Sequence, residues 1–323
     1  MPRLHPLALR SLAAGGILVL AAAPLGLLER GALNNLWYVC FGIVLASAWN
    51  ILGGMAGQVS FGYAAFVGIG AYAAVLLSLQ GINPYWTLPV GGLLAAAFSI
   101  LIGLPTFRLR GPYFTIATIG ISEAVRVFMQ GFQWTGGSSG LRMPPRADSF
   151  LVDYYSMLAL AAAVLVLVWW IERTRLGLAL RAVRQDVDAA EALGVPTARV
   201  KLAAHALSAF AVGVAGGLYA INFQYIAPNS VFAFTLSLSI VLMPVIGGIG
   251  TLAGPVIGAV VFQYLQLKLL ANPLLSNFHL FIYGLLLIVV MLFEPRGLWG
   301  LLLRGWRWIS YRPGGSAGKA TAP

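Results

Sequence analysis

Apolar residues in this chain run together rather than alternating with polar ones. From Gly31 to Phe107, and again from Leu202 to Leu267, no Asp, Glu, Lys or Arg interrupts the sequence. Each run is several times the ~20 residues that one helix needs to cross hydrocarbon. Backbone polar groups find no partner in lipid, so the crossings are helices. Cutting the runs at charges, prolines and glycine clusters predicts ten spans: Ser11 to Leu28, Leu33 to Leu52, Phe61 to Leu79, Tyr85 to Pro105, Tyr113 to Gln130, Tyr154 to Ile171, Leu202 to Phe223, Phe234 to Ile246, Pro255 to Leu270 and Phe278 to Phe293. Glycine and proline interrupt the third, eighth and ninth, which places the expected number at 8 to 10 and marks these three as candidates for broken or re-entrant helices. The first span follows basic residues and carries small residues at Ala21 to Ala23, like a secretory signal, but further spans follow directly and an uncleaved helix is the reading adopted.

Two polar segments are too long to be simple turns. Gly131 to Asp153 holds Thr135, Gly136, Gly137, Ser138, Ser139 and Gly140, then Pro144 and Pro145, the composition of an irregular loop. Glu172 to Lys201 is the longest charged stretch. In it Leu180, Val183, Val187, Ala190 and Leu193 recur at helical spacing, Arg184 and Asp188 form an i, i+4 pair of opposite charge, and Gly194 before Pro196 signals a stop. This predicts one amphipathic helix. It lies apolar side down on lipid headgroups, or fits a groove on a cytoplasmic protein through the small residues of Asp188 to Gly194.

Composition sharpens the class: 60% of residues are hydrophobic and 9% charged, against roughly 25% charged in soluble proteins. A soluble enzyme is excluded. The formal charge of +11 does not point to nucleic acid, because the basic residues sit between apolar runs. With the N-terminus inside, fifteen basic residues fall on the cytoplasmic side (Arg3, Arg10, Arg108, Arg110, Arg173, Arg175, Arg181, Arg184, Arg199, Lys201, Arg296, Arg304, Arg307, Arg312 and Lys319) against four outside (Arg30, Arg142, Arg146 and Lys268). The positive-inside rule therefore predicts both termini in the cytoplasm and an even number of spans. The pairs Tyr85 and Trp86, Tyr154 and Tyr155, and Trp169 and Trp170 are expected at the headgroups.

Candidate chemistry is sparse. The one cysteine, Cys40, sits in an apolar run and reads as a small buried hydrophobe. No catalytic or metal-ligating cluster has the spacing of one. GGSAGKA from Gly314 to Ala320 lacks the first glycine and the final Ser or Thr of a phosphate loop, so residues 304–323 read as a disordered tail without a nucleotide site. Glycines around Gly53, Gly57 and Gly70, and again around Gly247 and Gly254, permit close packing, or leave backbone, with Gln58, Ser60 and Thr118, to line a passage. Glu123 is the one acidic residue inside a span and Arg126 stands three residues on. A static ion pair is the reading adopted, because a lone charge at that depth is costly; a proton-coupled carboxylate in a secondary transporter is the rival.

From about Leu33 to Gly300 the sequence resembles the branched-chain amino acid ABC transporter permease family, LivM type. The similar stretches are Trp49 to Ala74, Leu109 to Arg126, the TGGSSG loop, Arg181 to Ala220, Pro244 to Ala259 and Phe293 to Gly300. His205 departs from the pattern, where an apolar residue is expected, and reads as structural. The resemblance implies an all-α, polytopic ABC importer permease fold, a single transmembrane domain over 1–323, in the bacterial cytoplasmic (inner) membrane. It implies a transport subunit rather than an enzyme, with no cofactor of its own. ATP would be bound by two partner ATPases, and the other partners would be a second homologous permease subunit and a periplasmic or lipid-anchored substrate-binding protein. Asp188, Ala189, Ala190, Glu191 and Gly194 then fall in the ATPase-coupling segment, Asp188 standing where the family has Glu. Thr135, Gly136, Gly137 and Ser138 become a candidate binding-protein contact, or a plain connection. The substrate class would be branched-chain amino acids or a similar small polar solute such as urea or other amides.

Overall fold

The structure is a computed structural model and describes residues 30–145, 150–276, 278–293 and 297–301. The helices are α1 (Arg30–Trp49), prolonged by a π-helical turn (Asn50–Gly54), α2 (Tyr63–Leu79), α3 (Pro84–Thr106), α4 (Pro112–Gly131), α5 (Phe150–Arg173), α6 (Arg175–Gln185), α7 (Val187–Ala192), α8 (Thr197–Phe223), α9 (Pro228–Val231), α10 (Phe234–Gly247), α11 (Ala253–Ala271), α12 (Pro273–Ser276) and α13 (His279–Phe293). Two short strands, β1 (Leu141–Arg142) and β2 (Tyr225–Ile226), pair antiparallel.

The protein is an all-α polytopic membrane protein. Among the described residues, six helical stretches are long and apolar enough to cross a membrane, by length and composition, and α2 and the start of α13 are shorter apolar helices. Nine of the ten expected spans coincide with a helix to within a few residues; the first, Ser11 to Leu28, and the tail 304–323 lie outside the described residues. Helix α3 starts where Asn83 accepts the Tyr85 N–H at 3.0 Å with Pro84 at the first position, the usual chemistry of an N-terminus.

The core is α1, α2 and α8, buried along most of their length, while α3, α5 and α13 turn Leu93, Leu101, Val166, Trp170 and Phe281 outward. An apolar exterior around a helical core suits lipid as solvent. Helices α2, α3 and α8 meet through glycine: a Cβ at Gly70 would fall on the Gly213 carbonyl, one at Gly216 on the Val67 carbonyl, and one at Gly91 would stand 3.0 Å from the Gly70 oxygen. Without side chains there, the backbones approach closely enough for dispersion to hold them. Gly68 is covered by the Phe232 ring, so this glycine group serves packing rather than a passage.

His205 is buried among the rings of Phe66, Phe107 and Tyr63, with centroids 5.1, 5.5 and 6.2 Å away. Its role is structural, as expected. The aromatic pairs differ in exposure: Trp86 and Trp170 are exposed, Tyr154 is fully buried, and the Tyr85 hydroxyl donates to Asp153 Oδ1 at 2.6 Å.

Candidate functional site

At one end of the bundle lies the charged loop. The single amphipathic helix expected from Leu180 to Leu193 is two helices. Asp186 takes extended backbone (φ −161°, ψ 123°) and its carboxylate accepts the Ala189 N–H at 2.9 Å, so it ends α6 and caps α7. That break separates Arg184 from Asp188, and the expected i, i+4 pair is absent. Asp188 instead accepts two bonds from the Arg110 guanidinium, at 2.8 and 3.0 Å. Leu180 and Val183 are buried as their spacing predicts, but Leu193 is 84% exposed because the chain has left the helix before reaching it. Gly194, at φ 83°, closes α7: its amide donates to Glu191 O at 2.9 Å and that of Val195 to Ala190 O at 3.0 Å. Ala190 is buried within the chain, a correction to its expected place on a partner's surface. The outward tip is made by Ala189, Glu191, Ala192, Leu193 and Gly194. Behind it a cavity of about 540 Å³ is lined by Gln58, Arg108, Arg110, Asp186, Glu191 and the buried Lys201, among others.

Four of the stretches singled out in the sequence meet beside this loop. Asn50, fully buried in the π-helical turn, donates from Nδ2 to Thr251 O at 2.9 Å and accepts the Gly250 N–H at 2.8 Å. Arg184 reaches the same point and donates to Gly54 O at 2.6 Å. Glycine is required here by close approach: a Cβ at Gly54 would stand 2.6 Å from Asn50 Cγ and 2.8 Å from Gly250 N, and one at Gly297 2.5 Å from Gly248 N. Asn50 carries no weight in the sequence reading. Its signal was an amide inside an apolar run beside two glycines.

Two of the residues expected to line a passage are committed to packing. Ser60 is buried, its carbonyl accepting the Trp49 indole N–H at 2.8 Å and its hydroxyl the Gly62 N–H at 3.2 Å. Thr118 is buried too, accepting the Phe61 N–H at 3.2 Å and donating to Thr115 O at 2.9 Å. The irregular stretch before α2 has no ladder to satisfy its amides, and these hydroxyls do so. Gln58 is half-buried and faces the loop cavity.

The open face is on α4. Tyr113, Ile116, Gly120, Glu123 and Val127 are all exposed, at alternating spacings of three and four residues that make one stripe along the helix. The expected pair forms: Arg126 Nε donates to Glu123 Oε2 at 2.9 Å, with a second contact between its terminal nitrogen and the other carboxylate oxygen. Asn229 at the start of α9 accepts from Arg126 and from Gln130, each at 2.6 Å. These polar groups face outward from the bundle and not into its core.

At the opposite end, the TGGSSG loop folds as two single 3₁₀ turns, Gln133–Thr135 and Gly137–Ser139. Thr135 is buried, its hydroxyl donating to Met129 O at 2.6 Å, which withdraws it from any partner. Gly136 and Gly137, at φ 76° and 55°, are half-buried turn formers, and Ser138 is exposed. The loop is fixed to the segment after α8 by β1 and β2 and by the Tyr225 hydroxyl, which donates to Ser139 O at 2.7 Å. Trp134, in the same loop as Ser138, is 59% exposed and was not singled out from the sequence. A tryptophan in a polar loop was the available signal.

Residues 31–291 match the family described as branched-chain amino acid transport system / permease component. Among curated proteins, the chain is 30% identical over 317 residues to the high-affinity branched-chain amino acid transport system permease protein LivM of Escherichia coli (strain K12), covering 87% of this chain and 73% of LivM. It is 26% identical to LivH of the same strain, over 80% of this chain and 90% of LivH. It is also 29% identical to the autoinducer 2 import system permease protein LsrC of Enterobacter sp. (strain 638), over 75% and 74%. No solved structure matches it. A multi-pass helical bundle that carries the six family stretches in order, four of them meeting at one glycine junction, belongs to the branched-chain amino acid transport permease family.

Proposed function

We propose that this chain forms one half of the translocation pathway of an ATP-driven importer in the bacterial cytoplasmic membrane, carrying branched-chain amino acids or a similar small polar solute. The observation that carries this reading is the tip of the charged loop. Leu193 is 84% exposed between Glu191 and Gly194, at the end of the protein that the basic-residue asymmetry places in the cytoplasm. A leucine that open, just past the end of a short helix held to the body by Arg110, suits a contact with another protein. One of two partner ATPases would seat on α7, the other on the second permease subunit, and these partners would bind the ATP. Some ten spans with both termini inside complete the subunit.

The stripe on α4 supports a second, homologous permease subunit. Glu123, Arg126 and Gln130 are too polar for lipid. Placed between two subunits, they and Gly120 would border an aqueous passage. Trp134 and Ser138 would meet the substrate-binding protein outside. ATP binding would then bring the ATPases together, move α7, and alternate the opening between the two faces.

Co-expression with its natural neighbours tests the reading. ATPase subunits should purify with the chain, and hydrolysis should rise when solute-loaded binding protein is added. Solute uptake by the chain alone, driven by a proton gradient and indifferent to ATP, would instead establish the ion-coupled secondary transporter.

A further inference from the structure

Arg184 joins the charged loop to the end of α1, a segment 130 residues away in sequence. It leaves the last turn of α6 and donates to Gly54 O, the carbonyl that ends the π-helical turn of α1. The guanidinium also lies against Gly250, where a Cβ would fall on its terminal nitrogen, and its Cγ would be 3.2 Å from a Cβ at Gly57. Both glycines adopt positive φ, 77° and 72°. Asn50 holds the same two segments together from the other side. The guanidinium therefore sits between the end of α1 and the turn that joins α10 to α11. Two residues farther on, Asp186 caps α7, and Asp188 is held by Arg110.

We infer that Arg184 is a positioning residue that transmits displacement of α7 to the cytoplasmic ends of α1 and of the α10–α11 hairpin. A carbonyl past the end of a helical turn has no partner of its own and takes a charge-assisted bond readily. The bond is directional, and the glycines at 54, 57 and 250 present backbone rather than side chains to the guanidinium and its stem. Shifting α6 and α7 as a unit pulls on Gly54 and pushes on Gly250. The two spans that Asn50 ties together then move with the loop. This rests on the reading of α7 as the ATPase contact.

The test uses the whole assembled transporter in proteoliposomes, comparing Arg184→Gln and Arg184→Lys with the native chain. Three quantities are read: ATPase subunits retained, basal hydrolysis, and hydrolysis and uptake stimulated by loaded binding protein. Arg184→Gln should retain the ATPases and basal hydrolysis within about twofold and lose about tenfold in stimulation and uptake, the scale of a coupling contact. Arg184→Lys, with the charge on a single nitrogen and no planar fork, should fall between. Stimulation and uptake within twofold of native in Arg184→Gln would overturn the inference. So would equal loss of ATPase retention and of all hydrolysis in both variants, which would make Arg184 a residue of folding only. If the native chain itself retains no ATPases, the importer reading fails, whatever the variants do.

Discussion

Arg110 and Asp188 face each other across the mouth of the loop cavity with two parallel hydrogen bonds, although 78 residues separate them in sequence. The pair ties α7 to the turn between α3 and α4. Its side chains are 76% and 66% exposed, and exposed pairs contribute about 0–1 kcal/mol. Asp188→Asn should therefore leave thermal stability nearly unchanged, within about 1 kcal/mol. It should loosen α7, measured as faster amide hydrogen exchange at Ala189 to Leu193. Unchanged exchange there would show that the cap at Asp186 alone holds the helix.

Orientation can be read with thiols. Cys40 is fully buried, so the native chain gives a low background. A cysteine at the exposed Ser139 should react with an impermeant reagent in intact cells, and one at Leu193 only after the membrane is opened. Labelling of the Leu193 position from outside would invert the topology.

The tip of α7 tolerates bulk on one side only. Ala189→Trp places its ring outward and should weaken ATPase retention while the chain still inserts. Ala190→Trp would overfill the buried side and cost about 1–3 kcal/mol in stability. Gly194→Val forces a branched residue to φ 83°, a strain of roughly 1–2 kcal/mol. The pattern to look for is retention lost without loss of fold at Ala189, and fold lost at Ala190.

For the charged pair on α4, Glu123→Gln or Arg126→Gln alone leaves one ion without its counter-charge. Each single variant should lower the yield of assembled transporter, and the exchange Glu123→Arg with Arg126→Glu should restore part of it. Full assembly and uptake in both single variants would remove any role for the pair.

Asn50→Ala would leave the Gly250 amide and the Thr251 carbonyl without partners at a buried junction, about 1–3 kcal/mol for each group. Thermal unfolding of the detergent-solubilised chain should register that loss. Asn50→Asp, which sets a buried carboxyl oxygen against the Thr251 carbonyl, should cost at least as much as Asn50→Ala.

The spans were legible because charge-free runs of that length have one physical solution in lipid, and Leu33 to Leu52 or Tyr154 to Ile171 needed nothing more. The contact of Glu123 with Arg126 was legible from spacing alone. The division of the loop at Asp186 was not, because periodicity continues through a residue whose side chain competes with the helix for an amide. Ser60 and Thr118 look the same in sequence whether they line water or stitch backbone, and only their partners decide. The junction joins positions 200 residues apart, Asn50 to Gly250, which no local pattern records. Ala190 is buried as the apolar stripe predicts, and Leu193 leaves that stripe because α7 ends before it, at Ala192.

Helix α8 is a single run of 27 residues, about 40 Å from end to end at 1.5 Å per residue. Its first turn borders the cavity behind α7 through Thr197 and Lys201, and its last residue leads directly into the strand that clasps the TGGSSG loop. Midway, Gly213 and Gly216 rest on the backbones of α3 and α2. Helix α8 is thus one unbroken rod, gripped at its glycines and reaching both ends of the bundle. Under the proposed function, a push at the Trp134 loop and a push at the α7 tip would both meet this rod, and its tilt would carry the signal across the membrane alongside the contact at Arg184.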